Sequence, residues 1–189
     1  MKIVVCIKEV PDSAATLVAE DGEANWGDAP LVINPWDEFA VEAALNMGGD
    51  VTAISMGGDK TALKHALAMG CKEAILVSDD ALANIDTQGT AKVLAAAIEK
   101  VGDVSMAFFG KQAIDGDAGI TPAQTARVLG WPALTLAASV ELDGDAVTVE
   151  RIIEEGKQSV SAELPAVFSL VKDYGEPRYP SFMGIRKAS

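Results

Sequence analysis

The sequence predicts an open, mostly parallel α/β sheet that is doubly wound, with helices covering both faces. Short apolar segments rich in β-branched residues alternate with helical segments of about 10–15 residues through residues 1–135. The hydrophobic fraction is 49% but aromatic residues make up only 5%, so Ala, Val, Ile and Leu must build the core, as in helix-covered parallel sheets. A chain of 189 residues is long enough for one full domain and too short for two ordinary ones.

Each element of the alternation has its own sequence signals. Segment 2–8, KIVVCIK, is typical of a buried strand. A helix is predicted over 36–47, because Pro35 and the acidic pair that follows are helix-start signals and two glycines end its apolar stripe. The remaining units, in chain order, are a strand over 50–58, a helix over 59–70, a strand over 73–80, a helix over 87–102, a strand over 104–110 and a helix over 121–130. Such units imply right-handed crossovers between parallel strands.

The pattern changes after Trp131-Pro132. Alternating polar and apolar residues around an Asp-Gly-Asp turn predict a small antiparallel meander over about 137–163, and 164–171 is one more buried strand. The last residues show no periodicity and predict an irregular C-terminal extension. The predicted organisation is one α/β domain over 1–175, followed by a tail over 176–189.

The charge of the chain argues against several classes of partner. Acidic residues outnumber basic ones by 28 to 15, for a formal net charge of −13, whereas nucleic acids and anionic membrane surfaces require a basic face. No apolar run approaches the ~18 residues of a membrane helix, and the first residues lack the layout of a signal peptide. Cys6 and Cys71 lie far apart and form no Cys-x-x-Cys pair, which argues against a disulfide framework or a zinc site. A cytoplasmic protein without nucleic-acid binding or membrane insertion is expected.

The loop before the last predicted helix, GKQAIDGDAGIT, is the strongest candidate for a ligand site. Ligands of open α/β sheets bind at the carboxyl ends of the strands. Thr121, before Pro122, resembles an N-cap, so a helix start with free amides would face Gly119 to Thr121 and favour a phosphate. A capped helix after a tight turn also needs no ligand, and that interpretation stays open. Asp115 and Asp117 would repel a phosphate if their side chains faced it, and are expected instead to bond loop amides, a ribose or a base.

The sequence contains no catalytic or metal-binding constellation. The lone histidine, His65, falls within a predicted helix, and no Ser/His/Asp or Cys/His set can be assembled without it. Cys6 lies in a predicted buried strand, where a thiol behaves as a small apolar residue. The chain is therefore predicted to bind a nucleotide without covalent or acid–base chemistry.

Several segments together resemble the β subunit of electron transfer flavoprotein. They are VCIKEVPD near the start, INPWDEFAVEAAL, VTAISMG followed by ALAMG, GKQAIDGDAG, GWPA, VERI, LPAV and EPRY. The resemblance spans nearly the whole chain, and the ordered set is specific although single pieces are not. It implies an adenine-nucleotide-binding α/β domain that works as an electron carrier and not as an enzyme.

The resemblance also implies cofactors and the residues that bind them. The family's β subunit buries AMP, or a second FAD in the electron-bifurcating branch, and pairs with an α subunit that holds the redox FAD. AMP is the first expectation here, although the small Gly116 resembles the bifurcating and nitrogen-fixation branches. Trp36 matches an aromatic position near the flavin of the α subunit, or simply packs the helix start. The matching cofactor positions are Cys6, Asn34, Pro35, Trp36, Asp37, Met56, Gly110, Lys111, Gln112, Ala113, Ile114, Asp115, Gly116, Asp117, Ala118, Gly119, Ile120 and Thr121.

Docking positions are implied in the same way. The tail resembles the segment by which the family docks on flavin dehydrogenases, with Phe182 at an apolar anchor position and Tyr179 in the same segment. Glu150 matches an acidic position linked to electron transfer between partners, towards an acceptor such as a quinone oxidoreductase. The family chain normally continues into an arm that clasps the α subunit, whereas this sequence stops at Ser189. A shortened member, a piece of a longer chain and a stand-alone variant with a different assembly are the three expectations that stay open.

Two other functions stay open from the residues. A stand-alone adenine-nucleotide-binding module of the universal-stress type shares the α/β plan, but its usual glycine-spaced ATP loop ending in Gly-Ser is absent from this sequence. An enzyme acting on a nucleotide would need the base and nucleophile that the sequence lacks.

Overall fold

The computed structural model describes residues 1–188. Its strands are β1 (Lys2–Ile7), β2 (Glu9–Pro11), β3 (Val18–Glu20), β4 (Glu23–Asn25), β5 (Leu31–Ile33), β6 (Asp50–Met56), β7 (Glu73–Val77), β8 (Val104–Gly110), β9 (Ala133–Asp143), β10 (Ala146–Ile153), β11 (Gly156–Glu163) and β12 (Ala166–Leu170). Its helices are α1 (Pro35–Asn46), α2 (Thr61–Met69), α3 (Thr87–Val101), α4 (Thr121–Leu129) and α5 (Phe182–Ala188), with short 3-10 turns at Asp80–Leu82 and Lys172–Tyr174. No helix in this range has both the length and the apolar character needed to cross a membrane.

Eight strands form one sheet in the order β11-β10-β9-β12-β8-β1-β6-β7. The strands from β9 to β7 in this order are parallel, and β10 and β11 extend one edge in antiparallel pairing. The central position of β1 follows from its composition, since Ile3, Val4 and Val5 are all fully buried and a strand covered on both faces must be apolar throughout. The fold class predicted from the sequence is confirmed.

Helices cover both faces of the parallel part of the sheet. α1 and α2 pack on one face, where Val41 and Leu63 join Val5 of β1 in one apolar core. α3 and α4 pack on the other face, where Leu94 belongs to a second core together with Val4. Successive residues of β1 therefore point into opposite cores, which explains why the strand has no polar alternation.

The antiparallel meander is part of the main sheet and spans 137–163 as the sequence pattern indicated, but its first strand begins earlier. β9 starts at Ala133, and its first half pairs in parallel with β12, with Ala133 opposite Val167. Its second half pairs with β10 in antiparallel fashion. Polar–apolar alternation reveals only the part of a strand that has one solvated face, so the first half of β9 was not recognised as part of the same strand.

Two short antiparallel pairs lie between β1 and α1. β2 pairs with β5, and β3 pairs with β4. The β3–β4 hairpin turns at Asp21 and Gly22, both of which have positive φ. Strands of three residues are too short to show a period-2 pattern, which is why the sequence did not predict them.

The tail is not irregular throughout, as the sequence had indicated. Residues 182–188 form α5, which packs against α2, and only residues 175–181 lack regular structure beyond the preceding turn. The prediction of an irregular extension is therefore wrong for the last described turns. Seven residues span only about two helical turns, which is too little for a periodic apolar stripe to be recognised.

The stacked aromatic pair in the first core provides a test of the packing. Phe108 on β8 and Phe168 on β12 are fully buried, with ring centroids 4.7 Å apart. Phe168→Ala removes a buried ring and leaves a cavity, so we expect the free energy of unfolding to fall by about 3–5 kcal/mol in urea denaturation. Phe182→Ala is the matched control, because the Phe182 side chain is 91% exposed and its loss should change that free energy by less than about 0.5 kcal/mol. Equal losses in the two variants would contradict this packing.

Candidate functional site

The candidate site lies at the topological switch point of the sheet, where successive strands stop adding on one side of β1 and begin to add on the other. From β1 the chain continues through α1 to β6 and through α2 to β7, and then α3 crosses to β8 on the other side of β1. A crevice forms outside the carboxyl ends of the two strands that flank such a point, and ligands of open α/β sheets bind there. The loop over residues 111–120 leaves β8 at this place. The loop singled out from the sequence therefore occupies the switch point of the fold.

Asn34, the residue before α1, holds the backbone of this loop. Its Nδ2 donates to the Gln112 carbonyl oxygen at 2.8 Å, and its Oδ1 accepts from the Ile114 N–H at 3.2 Å. Its backbone N–H donates to the Lys8 carbonyl oxygen at 2.8 Å, and its carbonyl oxygen accepts from the Asp37 N–H at 2.8 Å. This buried residue thus joins the end of β1, the start of α1 and the loop, with its side chain bonding the loop and its backbone the other two.

Asp37, in the first turn of α1, makes the second junction. Its Oδ2 accepts from the Lys8 N–H at 2.6 Å, and its Oδ1 accepts from the Gly110 N–H at 3.1 Å. Burial raises the pKa of this carboxyl to about 7, although hydrogen bonds from Lys8, Asn34 and Gly110 act in the opposite direction. Both oxygens are occupied by the protein, so Asp37 contributes by joining the ends of β1 and β8. Its contact with a cofactor stays a prediction.

Gly110 can occupy its position only because it has no side chain. A Cβ there would lie 2.7 Å from the Trp36 carbonyl carbon and 2.8 Å from the Trp36 carbonyl oxygen, and would also overlap Asp37 Oδ1. Atoms at such distances repel strongly, so any side chain would push β8 away from the start of α1. The resemblance had assigned Gly110 to the cofactor site, and the structure adds a reason for glycine that involves no ligand.

The two loop aspartates bond to groups of the protein. Asp115 forms an ion pair with Lys8, with Nζ and Oδ2 2.7 Å apart, and accepts a hydrogen bond from the Gly116 N–H at 2.8 Å. Asp117, whose φ is 50°, accepts from the side-chain amide of Gln112. The expected bond from Asp115 to a loop amide is confirmed, whereas Asp117 is held by a side chain. Both carboxylates therefore stabilise the loop, and Asp115 ties it to β1.

The first turn of α4 has backbone donors that no side chain caps. The sequence suggested Thr121 as the N-cap, but Thr121 is the first helical residue and Ile120 occupies the N-cap position. Isoleucine has no side-chain oxygen, so this helix start lacks a side-chain cap, whereas Asp86 caps α3. The free amides and the positive end of the helix dipole favour an anion at this place.

Gln124, also in the first turn of α4, was not among the residues singled out from the sequence. Its Oε1 is buried and has no hydrogen-bond partner among the described residues. A buried acceptor without a donor costs free energy unless a ligand or water supplies one. The sequence shows that Gln124 follows the loop by one helical turn, but the burial of its Oε1 depends on tertiary packing that the sequence does not record.

The other cofactor positions assigned by resemblance surround the crevice at different depths. Trp36 is half-buried, and Lys111 Nζ lies 5.4 Å from its ring centroid. Cys6 is buried in the second core, and this burial raises the pKa of its thiol far above the ordinary value, so it presents no reactive thiolate. Met56 ends β6 at the same edge of the sheet. Pro35, Ala118 and Gly119 are exposed, and Ala113 is half-buried.

The site offers groups for binding and orientation. Its polar groups are backbone amides, amide side chains and paired charges. His65 lies on α2 with its Nε2 2.8 Å from Glu38 Oε1 on α1, which is a structural bridge between helices. Within residues 1–188, no group of three or more His, Cys, Asp and Glu residues could hold a metal ion.

The predicted docking residues lie on other elements. Glu150 is on β10, where its carboxylate pairs with Lys157 of β11 at 2.7 Å. Tyr179 and Phe182 are in the tail, with 90% and 91% of their surface exposed. The structure therefore separates these residues into two groups, one on the meander and one on the tail.

Comparison with known proteins identifies relatives along the whole chain. Residues 27–189 match the family model described as the electron transfer flavoprotein domain. The chain is 41% identical over all of its length to the electron transfer flavoprotein subunit beta of Thermoanaerobacterium thermosaccharolyticum, of which it covers 75%. It is 36% identical over 98% of its length to the acryloyl-CoA reductase electron transfer subunit gamma of Anaerotignum propionicum, covering 73% of that protein. It is also 36% identical over all of its length to the caffeyl-CoA reductase-Etf complex subunit CarD of Acetobacterium woodii, covering 75% of it.

The requirement for glycine at the end of β8 can be tested with a matched pair of loop variants. Gly110→Ala places a methyl group against Trp36 and Asp37, and we expect a loss of about 2–4 kcal/mol in the free energy of unfolding through overpacking and a weakened junction. Gly116→Ala is the control, since a Cβ at Gly116 meets no atom within 4 Å and its φ is unremarkable for an L-residue. Chemical denaturation measures both. A Gly110→Ala chain as stable as Gly116→Ala would contradict the close approach.

The raised pKa of Asp37 predicts how stability depends on pH. The carboxyl has an ordinary pKa near 3.8 and a folded-state pKa of about 7, so between these values the folded chain keeps a proton that the unfolded chain has released. The stability that the folded chain gains by holding this proton is fully present below pH ~4 and is lost as the pH rises to ~7. Relative to Asp37→Asn, the wild-type free energy of unfolding should fall by about 1 kcal/mol per pH unit between about pH 5 and 7.

Urea denaturation at several pH values measures this difference. Asp143→Asn, at the exposed end of β9, should leave the pH dependence of the wild-type chain unchanged. Parallel curves for the wild type and Asp37→Asn would show that this carboxyl does not titrate in that range.

Proposed function

This chain belongs to the electron transfer flavoprotein family, and we propose that it is the β-type subunit of a two-subunit electron-transfer complex. The relatives with 36% identity carry names that describe them as subunits of reductase-linked electron-transfer complexes. The partner would be an α subunit that holds the redox FAD. The chain itself would act as a carrier subunit, which needs binding surfaces rather than a catalytic residue set.

The proposed nucleotide site is the crevice between β1 and β8, closed by the loop from Gly110 to Thr121. The observation that carries this proposal is the loop's position at the switch point, where Asn34 and Asp37 fix its backbone and it runs into an uncapped helix start. Backbone amides at such a helix start bind phosphate groups. AMP is the proposed ligand, and a second FAD is the alternative that shares the same adenine nucleotide.

The residues present fit an adenine nucleotide. The buried Gln124 Oε1 lacks a donor among the described residues, and an adenine amino group or a ribose hydroxyl would supply one. The amides of the first turn of α4 have no side-chain cap, and a phosphate would accept from them. Asp115 and Asp117 are already paired with protein groups, which reduces their repulsion of an anion. AMP would serve a structural role there, whereas a second FAD would supply redox chemistry to the complex.

The proposed partners are a flavin dehydrogenase as electron donor and an acceptor such as a quinone oxidoreductase. Trp36 is proposed to lie against the flavin of the α subunit, because it borders the crevice and is only half-buried. The tail is proposed to dock on the dehydrogenase through Tyr179 and Phe182, whose side chains are almost entirely exposed. Large exposed apolar side chains rimmed by polar residues are typical of protein interaction sites. Glu150 on the meander is proposed to assist electron transfer between the partners.

The first test is the identity of the small molecule that the purified chain carries. The chain is denatured, and the released compound is identified by absorbance and mass. AMP would support a structural nucleotide, and FAD would support the version with a second redox flavin. ATP would instead favour a stand-alone nucleotide-binding module. A chain that carries nothing and also fails to bind added AMP or FAD, alone and with its α subunit, would overturn the nucleotide site.

Gln124 provides a residue-level test of the same site. Gln124→Leu removes the buried acceptor, and we expect the Kd for AMP to rise about tenfold, the effect of losing one hydrogen bond of ordinary strength. Titration calorimetry on nucleotide-free protein measures the change. Gln88→Leu is the control, since Gln88 is an exposed glutamine in the first turn of α3. An unchanged Kd in Gln124→Leu would place the nucleotide away from this helix start.

A further inference from the structure

A clamp centred on Arg178 attaches the tail to α1. The guanidinium of Arg178 binds both carboxylate oxygens of Glu42, with Nε–Oε2 and Nη2–Oε1 distances of 2.7 and 3.0 Å. Nη2 also donates to Asn46 Oδ1 at 2.8 Å, and the Arg178 backbone N–H donates to Glu42 Oε2 at 3.0 Å. A planar guanidinium fork binds a carboxylate in a fixed geometry that a lysine cannot reproduce. The tail is therefore held in one orientation at this point.

A second attachment lies three residues farther along the tail. The Ser181 N–H donates to the Ala68 carbonyl oxygen at 3.1 Å, at the end of α2, and Ser181 Oγ caps α5 by accepting from the Gly184 N–H at 2.9 Å. A Cβ on Gly184 would lie 2.8 Å from Ala68 Cα and would overlap its carbonyl oxygen. The first turn of α5 thus rests directly on the backbone of α2, which fixes its distance from the domain.

Between and beside these two attachments, the tail exposes large apolar side chains. Tyr179, Phe182 and Met183 are exposed over 90%, 91% and 70% of their surface. A helix of seven residues is not stable by itself in water. Its shape, and hence the arrangement of these three side chains, depends on the contacts that join the tail to α1 and α2.

The charge of the tail also differs from that of the chain. Arg186 and Lys187 lie in the last turn of α5, in a chain whose net charge is −13. Arg178 adds little positive field, because Glu42 pairs with it. Hydrogen bonds from Arg178 lower the pKa of the Glu42 carboxyl, so the pair remains ionised at neutral pH. The tail therefore suits a partner whose surface has an apolar pocket bordered by carboxylates.

We propose that Arg178 is a positioning residue for partner docking, because its bonds to Glu42 and Asn46 hold α5 in the orientation that presents Tyr179, Phe182 and Met183. The inference rests on the proposed docking role of the tail and identifies what orders that surface before the partner arrives. Pre-ordering matters because a segment that becomes ordered only on binding loses conformational entropy, and this loss weakens the affinity. A lost clamp should therefore weaken docking while leaving the nucleotide site unchanged.

The test uses the complex of the chain with its α subunit, reduced by a purified flavin dehydrogenase over a range of dehydrogenase concentrations. Arg178→Ala should raise the KM for the dehydrogenase about tenfold while kcat stays within about twofold, since docking and not electron transfer is affected. Hydrogen exchange at the Gly184 and Ile185 amides should accelerate about tenfold as α5 loosens. Arg127→Ala removes the same charge from an exposed position on α4 and should change neither quantity.

Further variants separate this inference from the proposed function. Arg178→Lys should give an intermediate KM, because the charge remains and the fork is lost. The double variant Arg178→Ala with Glu42→Ala should raise the KM by less than the product of the two single effects, because the two residues share the guanidinium–carboxylate contact. If Phe182→Ala leaves the KM unchanged, the docking role of the tail itself is wrong. If Phe182→Ala raises the KM and Arg178→Ala alters neither the KM nor the hydrogen exchange, only the positioning role of Arg178 is wrong.

Discussion

The buried carboxylate of Asp37 is the interaction on which the candidate site depends. Taking a carboxyl group out of water is costly unless hydrogen bonds replace its hydration, and here the N–H groups of Lys8 and Gly110 replace part of it at the ends of β1 and β8. The same two bonds hold the neighbouring strands and the first turn of α1 in one arrangement. Gly110 must then lack a side chain, and the loop that follows it must leave the sheet beside Asn34. The geometry of the crevice is thus a consequence of satisfying one buried carboxyl group.

Helix α1 links this site to the tail. Its first turn carries Asp37. Glu42 lies more than one turn farther along the helix and Asn46 is its last residue, and both bind Arg178. The helix has 12 residues and so spans ~18 Å. In the proposed function, the nucleotide and the partner-docking segment are therefore mounted on opposite ends of one rigid element. An electron carrier requires such fixed geometry, because its role is to hold partners at defined positions.

The acidic and glycine-rich character of the loop has a physical explanation. The carboxylates of Asp115 and Asp117 bond to Lys8, to the Gly116 amide and to the side chain of Gln112, so they shape the loop from within. This arrangement leaves the first-turn amides of α4 without a side-chain cap. A loop whose own side chains satisfy each other can present backbone donors to a ligand at little cost in loop ordering.

The sequence by itself determined the fold class, the alternation of strands and helices up to α4, and the position of the loop. Its ordered motifs also indicated the family, and the family model and the relatives confirm that family. These features are local, because hydrophobic periodicity and turn residues are written within a few positions of each other. The tertiary structure alone decided that β9 joins β12 before it turns to β10, that α5 forms on α2, and that Gln124 has a buried oxygen without a partner among residues 1–188. It also decided that Glu42 and Arg178 meet although 136 residues separate them. Such features depend on burial and on contacts between distant segments, which no local pattern records.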